Sequence, residues 1–229
     1  MVLNTPRTLA LIPDGNRRWA RAHMLSMLKG YDVGVKKFIS FSEWCRSYGI
    51  NNIIVWAFST ENFERNKKEI NTLFSIYQHV ANDKTIIERL HRNRTRFNII
   101  GNLGMLPTGL RRSLEKVEER TKGYSERVIN MLIGYGGRED ILCAVNSVQS
   151  ARGREVNESD FGKRLMSKSI PDIDFIIRTS GERRLSGFMP WQSNYAELYF
   201  SDKLWPDFTK HDLHNALADY NRRQRRFGR

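Results

Sequence analysis

Short apolar runs alternate with longer segments of helical spacing along this chain of 229 residues. Each apolar run is followed closely by glycine, serine, threonine or asparagine, which is typical of a strand that enters a loop. The predicted strands are 8–13, 52–58, 96–100, 128–133 and 174–177. The predicted helices are 34–47, 67–90, 107–122, 138–149 and 210–221.

The predicted strands are apolar on both faces, and their alternation with helices favours an α/β fold with a mainly parallel central sheet flanked by helices. No repeat or low-complexity linker divides the sequence, so residues 1–229 are predicted to form one domain. In such sheets ligands bind at the carboxyl ends of the strands. The loops that follow the predicted strands, 14–18, 59–65, 134–138 and 178–186, are therefore the places to look for a site.

The charge balance restricts the ligands. The chain has 38 Lys and Arg against 25 Asp and Glu, a net charge of +13. Such a protein attracts nucleic acid, anionic lipid headgroups or phosphorylated small molecules, and charge alone does not choose among them. The isolated Cys45 and Cys143 are interpreted as buried apolar groups. With no membrane-length apolar run and no signal-peptide pattern, a cytoplasmic location is expected.

The first loop, 14–19 (DGNRRW), combines a carboxylate with glycine and two guanidinium groups. Asp14 is suited to a hard divalent cation, and the following N–H and guanidinium groups are suited to a diphosphate. An Asp-Gly turn that leads into a solvated basic helix is the alternative. The turn 135–138 (YGGR) is likewise either an anion site or a plain connection.

The second loop, 59–65 (STENFER), offers polar groups and a cation, although Ser-x-x-Asn is also a common helix cap. The fourth loop, 178–186 (RTSGERRLS), begins with Arg178 at the end of an apolar strand, where an unpaired charge is costly. Its guanidinium groups suit a diphosphate, and an ion-pair network with Glu182 is the alternative. With Glu197 added, the strand ends offer two carboxylates and two cationic clusters, which predicts chemistry on diphosphate esters.

These segments together resemble the successive motifs of the cis-prenyltransferase (undecaprenyl diphosphate synthase-like) family. The match includes DGNRRWA at 14–20, AFSTENF at 57–63, YGGR at 135–138, RTSGERRLS at 178–186, AELYF at 196–200, LWPDF at 204–208 and RRFG at 225–228. Order and spacing hold from about residue 8 to residue 228. The resemblance therefore argues against nucleic acid as the partner.

The resemblance implies a hydrophobic tunnel, a homodimer, and Mg²⁺-dependent condensation of an allylic prenyl diphosphate with isopentenyl diphosphate, with release of diphosphate. Asp14 would position Mg²⁺ and assist loss of the allylic diphosphate, and Glu197 would help to hold the metal. Asn62 matches a residue associated with proton removal, and we interpret its role as positioning because an amide is a weak base. A lipophilic product also predicts peripheral contact with a membrane.

The resemblance also implies the substrate-binding residues. Those in the first two loops are Gly15, Asn16, Arg17, Arg18, Trp19, Ser59, Thr60, Glu61, Phe63 and Arg65. Those in the fourth loop, which would hold the diphosphate of isopentenyl diphosphate, are Arg178, Arg184, Leu185 and Ser186. Arg226 and Gly228 match a motif that reaches the partner subunit's site, and a frayed basic tail is the alternative.

One segment departs from the family pattern. Met27 and Tyr31 stand where the family usually has an Arg and, four residues later, a His, both of which contact the allylic diphosphate. Loss of one charge-assisted contact costs about 1.5 to 3 kcal/mol. Either Lys29 and Arg17 replace these contacts, or the first site handles its substrate differently.

Because of this departure, a second reaction is also a hypothesis for this chain. A branch of the family that performs irregular, branched condensations, with dimethylallyl diphosphate as acceptor, also lacks this Arg and His. Members of that branch tend to lose the residues that Asn62 and Glu182 represent here, so the regular reaction is preferred. A non-catalytic partner subunit is a third hypothesis, which the intact Asp14 motif disfavours. The apolar Met24, Leu25, Met27 and Leu28 are interpreted as part of a helix packed in the core.

Overall fold

The computed structural model describes residues 4–149 and 155–223. The strands are β1 (Thr8–Ile12), β2 (Asn52–Ser59), β3 (Thr95–Ile100), β4 (Arg127–Tyr135), β5 (Phe175–Arg178) and β6 (Glu197–Phe200). The α-helices are α1 (Asn16–Ala22), α2 (Met27–Ser47), α3 (Lys67–Asn82), α4 (Lys84–Arg92), α5 (Thr108–Thr121), α6 (Gly137–Gln149), α7 (Glu158–Gly162) and α8 (Lys210–Arg222). Short 3-10 helices lie at Thr60–Glu64, Leu103–Met105 and Trp205–Asp207.

The described strands form one sheet in the order β3-β4-β2-β1-β5-β6, and every neighbouring pair is parallel. Parallel neighbours require crossover connections, which helices between the strands supply, except that residues 179–196, without a helix, connect β5 to β6. The register places Ile12, the last residue of β1, beside Arg178, the last residue of β5. The loops that follow β1, β2, β4 and β5 therefore meet at one edge of the sheet, as the sequence predicts.

Side chains of the central strands alternate between two apolar clusters, one on each face of the sheet. Leu9 and Leu11 of β1 pack into the cluster that contains Phe41 of α2. Ala10 and Ile12 pack into the cluster on the other face, which contains Phe188. Because successive strand residues point to opposite faces, a strand with helices or loops on both sides must be apolar throughout. The double-sided apolar pattern in the sequence has this origin.

The five predicted strands are confirmed to within two residues at each end, but β6 was not predicted. The predicted helix 67–90 is wrong as one element, because the chain breaks at Asp83 into α3 and α4. The Asp83 carboxylate accepts a hydrogen bond of 2.8 Å from the Thr85 N–H. An aspartate in this position is a favourable N-cap, so it starts a new helix where the apolar spacing alone suggests continuity.

Helix α2 begins seven residues earlier than predicted, because the Ser26 hydroxyl caps it and accepts from the Lys29 N–H at 3.3 Å. The interpretation of Met24, Leu25, Met27 and Leu28 as core residues is wrong, since all four are exposed. Cys45 is buried as expected, whereas Cys143 is exposed. In the part of the chain that the structure describes, no helix combines the length and apolar character needed to cross a membrane.

Candidate active site

A deep cavity of about 740 Å³ opens at the carboxyl-end edge of the sheet and extends between the sheet and helices α2 to α5. Polar groups of the first, second and fourth loops surround its mouth. The side chains deeper in the cavity are apolar or aromatic, and they include Phe38, Val55, Leu73, Tyr77, Ile87, Leu90, Phe97, Leu114, Val117 and Met131. The cavity agrees with the hydrophobic tunnel that the sequence resemblance implies.

Asp14 lies at the mouth between two guanidinium groups. Arg178 Nη2 donates to Asp14 Oδ2 at 2.9 Å, and Arg18 Nη2 lies 3.8 Å from Asp14 Oδ1. The Thr179 hydroxyl donates to the Asp14 carbonyl oxygen at 2.7 Å. Asp14 therefore joins the first loop to the fourth loop, and the two cationic clusters predicted from the sequence form one group around this carboxylate.

Gly15 lets the chain turn directly after Asp14 into α1. Its φ is +107°, a conformation that residues with a side chain rarely adopt. A Cβ atom here would also approach Leu204 Cδ2 to 2.9 Å. Both constraints make glycine necessary at this position, and they fix where the Asp14 carboxylate points.

Arg178 is nearly inaccessible, with 6% of its side chain exposed. Its Nη1 group donates to the Ser186 hydroxyl at 2.9 Å and to the Arg184 carbonyl oxygen. Its buried Nε has no hydrogen-bond partner in the described structure. A buried guanidinium with an unused donor is costly unless another anion completes it. Arg178 thus organises the fourth loop and keeps hydrogen-bonding capacity for a ligand.

The remaining fourth-loop residues fall into two groups. Arg184 is exposed and forms an ion pair with Glu182, so the predicted ion-pair network exists beside the predicted anion site. Ser186 lines the cavity, whereas Leu185 packs against the apolar cluster around Phe188. Leu185 therefore contributes to the shape of the loop and does not line the cavity.

A second carboxylate, Glu69, is buried behind the cavity wall, where it contacts the lining residues Tyr31, Arg65 and Arg17. The Tyr31 hydroxyl donates to Glu69 Oε1 at 2.6 Å, Arg65 Nη1 lies 3.5 Å from the same oxygen, and Arg17 Nε lies 3.6 Å from it. Arg65 Nη1 also donates to the Tyr31 hydroxyl at 3.2 Å. Burial, and then the hydrogen bond to Glu69, raise the pKa of Tyr31 far above its ordinary value, so the phenol is neutral.

This network explains how one of the two departures is accommodated. Tyr31 occupies the position where the family pattern has a His. It lines the cavity together with Arg17 and Arg65, which supply two guanidinium groups beside the phenol. Met27 is exposed and does not line the cavity. Glu69 was missed in the sequence. Its position on the apolar face of α3, with Ile70, Leu73 and Ile76, was the signal that could have identified it.

The second loop combines capping with cavity lining. Asn62 Oδ1 accepts from the Ser59 N–H at 3.3 Å, which caps the 3-10 helix Thr60–Glu64, so the capping alternative is realised. Ser59, Glu61, Asn62 and Arg65 also line the cavity. These side chains therefore serve the local fold and the cavity wall together.

Three predicted binding residues of the first two loops lie outside the cavity lining. Phe63 packs edge-on against Phe58 in the core, with ring centroids 4.9 Å apart. Thr60 packs against Gly136. Trp19 Nε1 donates to Asp207 Oδ1 at 2.7 Å, so its ring is held against the 3-10 helix Trp205–Asp207.

The first loop and the turn after β4 contain further residues of the site and of its surroundings. Gly15, Asn16, Arg17 and Arg18 all line the cavity, as predicted, and Arg21 does so without having been predicted. The Asn16 Oδ1 atom is buried without a hydrogen-bond partner in the described structure. In the turn after β4, the Gly137 N–H donates to the Gly187 carbonyl oxygen at 3.0 Å, so this amide serves the connection between loops.

The placement of Glu197 at a carboxyl strand end together with Asp14 is wrong within the described chain, and its role as a metal ligand stays a prediction. Glu197 begins β6 and is paired with Phe175, the first residue of β5. At about 3.3 Å per residue, it lies about 10 Å below the edge where Arg178 ends its strand. Arg223 Nη1 donates to Glu197 Oε2 at 2.9 Å, so the carboxylate is already paired. The apolar residues around Glu197 do not reveal which end of the strand the carboxylate occupies.

Asp14 lines the mouth and is partly exposed, so it is available for a cation. Among the described residues, no group of three His, Cys, Asp or Glu side chains has the arrangement of a protein-only metal site. Mg²⁺ is commonly held by one or two carboxylates together with substrate phosphates. Asp14, flanked by guanidinium groups that can hold those phosphates, fits that mode. Arg226 and Gly228 lie outside the described residues.

Comparison with known proteins identifies relatives along nearly the whole chain. The family model described as "Putative undecaprenyl diphosphate synthase" matches residues 12–228. An isoprenyl transferase from Thermus thermophilus is 46% identical over 238 residues, which covers 98% of this chain and 89% of that protein.

Two solved structures share the fold, each at 32% sequence identity. Lavandulyl diphosphate synthase from Lavandula x intermedia, in complex with dimethylallyl diphosphate, superposes with a TM-score of 0.94 over 98% of this chain and 99% of that one. A probable undecaprenyl diphosphate synthase from Campylobacter jejuni gives a TM-score of 0.82 over 99% of this chain and 100% of that one.

Proposed function

Because this chain belongs to the undecaprenyl diphosphate synthase family and is a prenyltransferase, we propose that it lengthens an allylic prenyl diphosphate by head-to-tail condensation with isopentenyl diphosphate. In this reaction the C–O bond of the allylic diphosphate breaks, and the diphosphate leaves with the electron pair. The double bond of isopentenyl diphosphate attacks the allylic cation, and loss of a proton gives the longer allylic product.

The size of the cavity is the observation that carries this proposal. The cavity of about 740 Å³ includes the polar mouth, where the diphosphates would bind, and an apolar part that extends to Leu90, Phe97 and Val117. This apolar part would accommodate a growing prenyl chain, as repeated addition of isopentenyl units requires.

The charges at the mouth suit departure of a diphosphate. Arg17, Arg18 and Arg65 would bind the allylic diphosphate, and Arg178 with Ser186 would bind the diphosphate of the acceptor. Preorganised guanidinium groups stabilise negative charge as it develops on the leaving group. Mg²⁺ held by Asp14 and the diphosphate would supply further stabilisation of that charge. The apolar cavity wall would exclude water, which otherwise captures the allylic cation.

Asn62 would orient the acceptor. Its side chain lines the cavity close to Ser59 and is fixed by the hydrogen bond from the Ser59 N–H. An amide does not accept a proton readily at neutral pH, so the proton would pass to the departing diphosphate or to water. We also propose that the protein is a homodimer, which sedimentation of the purified protein would test.

Irregular condensation with dimethylallyl diphosphate as acceptor is a second candidate. The observation that favours it is the close superposition with lavandulyl diphosphate synthase, combined with Tyr31 at the position where the family usually has a His. The intact Asn62 and the large cavity favour the regular reaction. A double variant, Met27→Arg with Tyr31→His, would restore the regular pattern, so it should increase affinity for the allylic primer and suppress any branched product.

The decisive experiment supplies Mg²⁺ and labelled substrates to the purified protein. Isopentenyl and dimethylallyl diphosphates are offered separately and together, and longer allylic primers are then added. Linear products that contain several isopentenyl units are expected. Branched ten-carbon product formed from dimethylallyl diphosphate alone would contradict the proposal and establish the second candidate. Omitting Mg²⁺ should abolish turnover.

A further inference from the structure

The connection between α1 and α2, residues 23–28, forms an exposed apolar tip, which we call the α1–α2 tip. The exposed fractions of its apolar side chains are 95% for Met24, 42% for Leu25, 43% for Met27 and 52% for Leu28. Single exposed apolar residues are normal on protein surfaces, but a contiguous group indicates a contact surface. In the described residues, no other exposed large apolar side chains are this closely spaced in the sequence.

The backbone of the α1–α2 tip is fixed by close packing of α2 on α1 and by the cap at the end of α1. A Cβ atom at Gly30 would approach Ala20 Cβ to 2.8 Å, so glycine is needed for α2 to pack closely on α1. At the end of α1, the Leu25 N–H donates to the Ala20 carbonyl oxygen at 2.8 Å. This bond requires a left-handed conformation at Met24, whose φ is +53°. Glycine is usual at this capping position, and an apolar side chain there is uncommon.

The surroundings of the tip carry an excess of cations. Residues 16–37 contain six Lys and Arg and a single acidic residue, Asp32, which pairs with both Lys29 and Lys36. Arg17 and Arg18 are paired with carboxylates near the cavity mouth. An apolar tip flanked by cations is the pattern of segments that lie in the interface of a membrane with anionic lipid. A second copy of the chain fits this surface poorly. Stable dimers bury about 800 Å² per partner, much more than six residues provide, and the cations of two copies would repel each other.

We propose that the α1–α2 tip inserts its apolar side chains into the interface of a bilayer that contains anionic lipid. Arg17 and Arg21 of α1 and Tyr31 of α2 line the cavity, so a bilayer docked on the tip would lie beside its mouth. The benefit of this placement rests on the proposed function, because a long prenyl diphosphate is amphiphilic and partitions into membranes. The contact itself does not require catalysis.

Vesicle binding without substrate or metal tests the proposal. Wild type should bind vesicles of phosphatidylcholine and phosphatidylglycerol, bind pure phosphatidylcholine more weakly, and lose affinity when the NaCl concentration rises from about 0.1 to 0.5 M. Leu25→Ser with Leu28→Ser should lower the partition coefficient about tenfold or more. The matched control is Met105→Ser with Leu142→Ser, whose native side chains are 42% and 59% exposed. Equal loss in the two double variants would overturn the proposal.

Two further variants separate membrane contact from misfolding. Met24→Gly supplies the residue that suits the left-handed conformation, so its Tm should be unchanged or higher while vesicle binding falls. In a Cys143→Ser background, an environment-sensitive dye on Met24→Cys should shift to shorter wavelength when anionic vesicles are added. A dye that remains in water would overturn the proposal, as would a change in oligomeric state caused by the tip variants. An inactive enzyme that still binds vesicles would contradict only the proposed function.

Discussion

Two carboxylates, Asp14 at the cavity mouth and Glu69 behind the cavity wall, are each surrounded by guanidinium groups, yet they differ in burial. The Asp14 side chain is 34% exposed and contacts Arg178 and Arg18, whereas the Glu69 side chain is 5% exposed and contacts Tyr31, Arg65 and Arg17. A half-buried carboxylate can exchange its partners for a cation and a diphosphate. A buried carboxylate that already accepts a hydrogen bond from a phenol and lies close to two guanidinium groups cannot exchange these partners without loss of stability.

The same pair of chemical groups is therefore suited to two tasks. We assign Asp14 to the reaction and Glu69 to positioning of the guanidinium groups that would bind the allylic diphosphate.

Replacement of Asp14 by Ala should lower kcat by about a thousandfold, equivalent to about 4 kcal/mol of transition-state stabilisation. The reason is that Asp14 lies between Arg178 and Arg18, where it would hold a cation beside the bound diphosphates. Asp32→Ala is the matched control, because Asp32 is 31% exposed and pairs with Lys36 outside the cavity. Steady-state rates of both variants provide the measurement, and near-normal turnover of the Asp14 variant would refute the assignment.

Replacement of Arg178 by Ala should raise KM for the non-allylic diphosphate by about a hundredfold, because it removes a buried charge-assisted donor. Some loss of kcat is expected too, since Arg178 orients Asp14. Arg184→Ala should raise the same KM by about tenfold or less, because Arg184 is exposed and pairs with Glu182. If only the KM of the allylic substrate increased, the assignment of the two diphosphate positions would be reversed.

Replacement of Glu69 by Gln should lower the free energy of unfolding by about 2 kcal/mol, since it weakens hydrogen bonding between charged groups in a buried network. It should raise KM for the allylic substrate by less than tenfold, because Arg17 and Arg65 remain near the mouth. Urea unfolding followed by kinetics provides the measurement. Glu61→Gln is the control, as Glu61 lines the cavity but is exposed. A kcat loss as large as that of the Asp14 variant would remove the distinction between the two carboxylates.

Replacement of Tyr31 by Phe should lower stability by about 1 kcal/mol near pH 7, the contribution of one hydrogen bond. Because the pKa of Tyr31 is raised in the folded protein, the unfolded chain releases its proton first. The stability contributed by this phenol is therefore fully present below about pH 10 and is lost as the pH rises above that value. Comparing the unfolding free energies of wild type and variant from pH 7 to 10.5 tests this. A difference that grows with pH would contradict the assignment.

Much of the fold and part of the site could be predicted from the sequence because the signals are local. Apolar runs followed by turn residues predicted β1 to β5, and the sheet rule then brought Asp14, Arg178 and the second loop to one edge. The break at Asp83 was missed because the apolar spacing continues across it while a single capping side chain ends the helix. β6 was missed because it has four residues, all of them only partly buried.

Local patterns in the sequence predicted β1 to β5, the loops that carry the guanidinium and carboxylate groups, and the family to which the chain belongs. Tertiary structure alone decided that Glu197 lies at the far edge of the sheet, that Glu69 holds Tyr31 from 38 positions away, and that the apolar residues Met24 to Leu28 face water. The physical reason is that hydrophobic periodicity specifies how much of a segment can be buried, but not against what. Strand register and helix packing select the partner, and both depend on contacts between residues far apart in the chain.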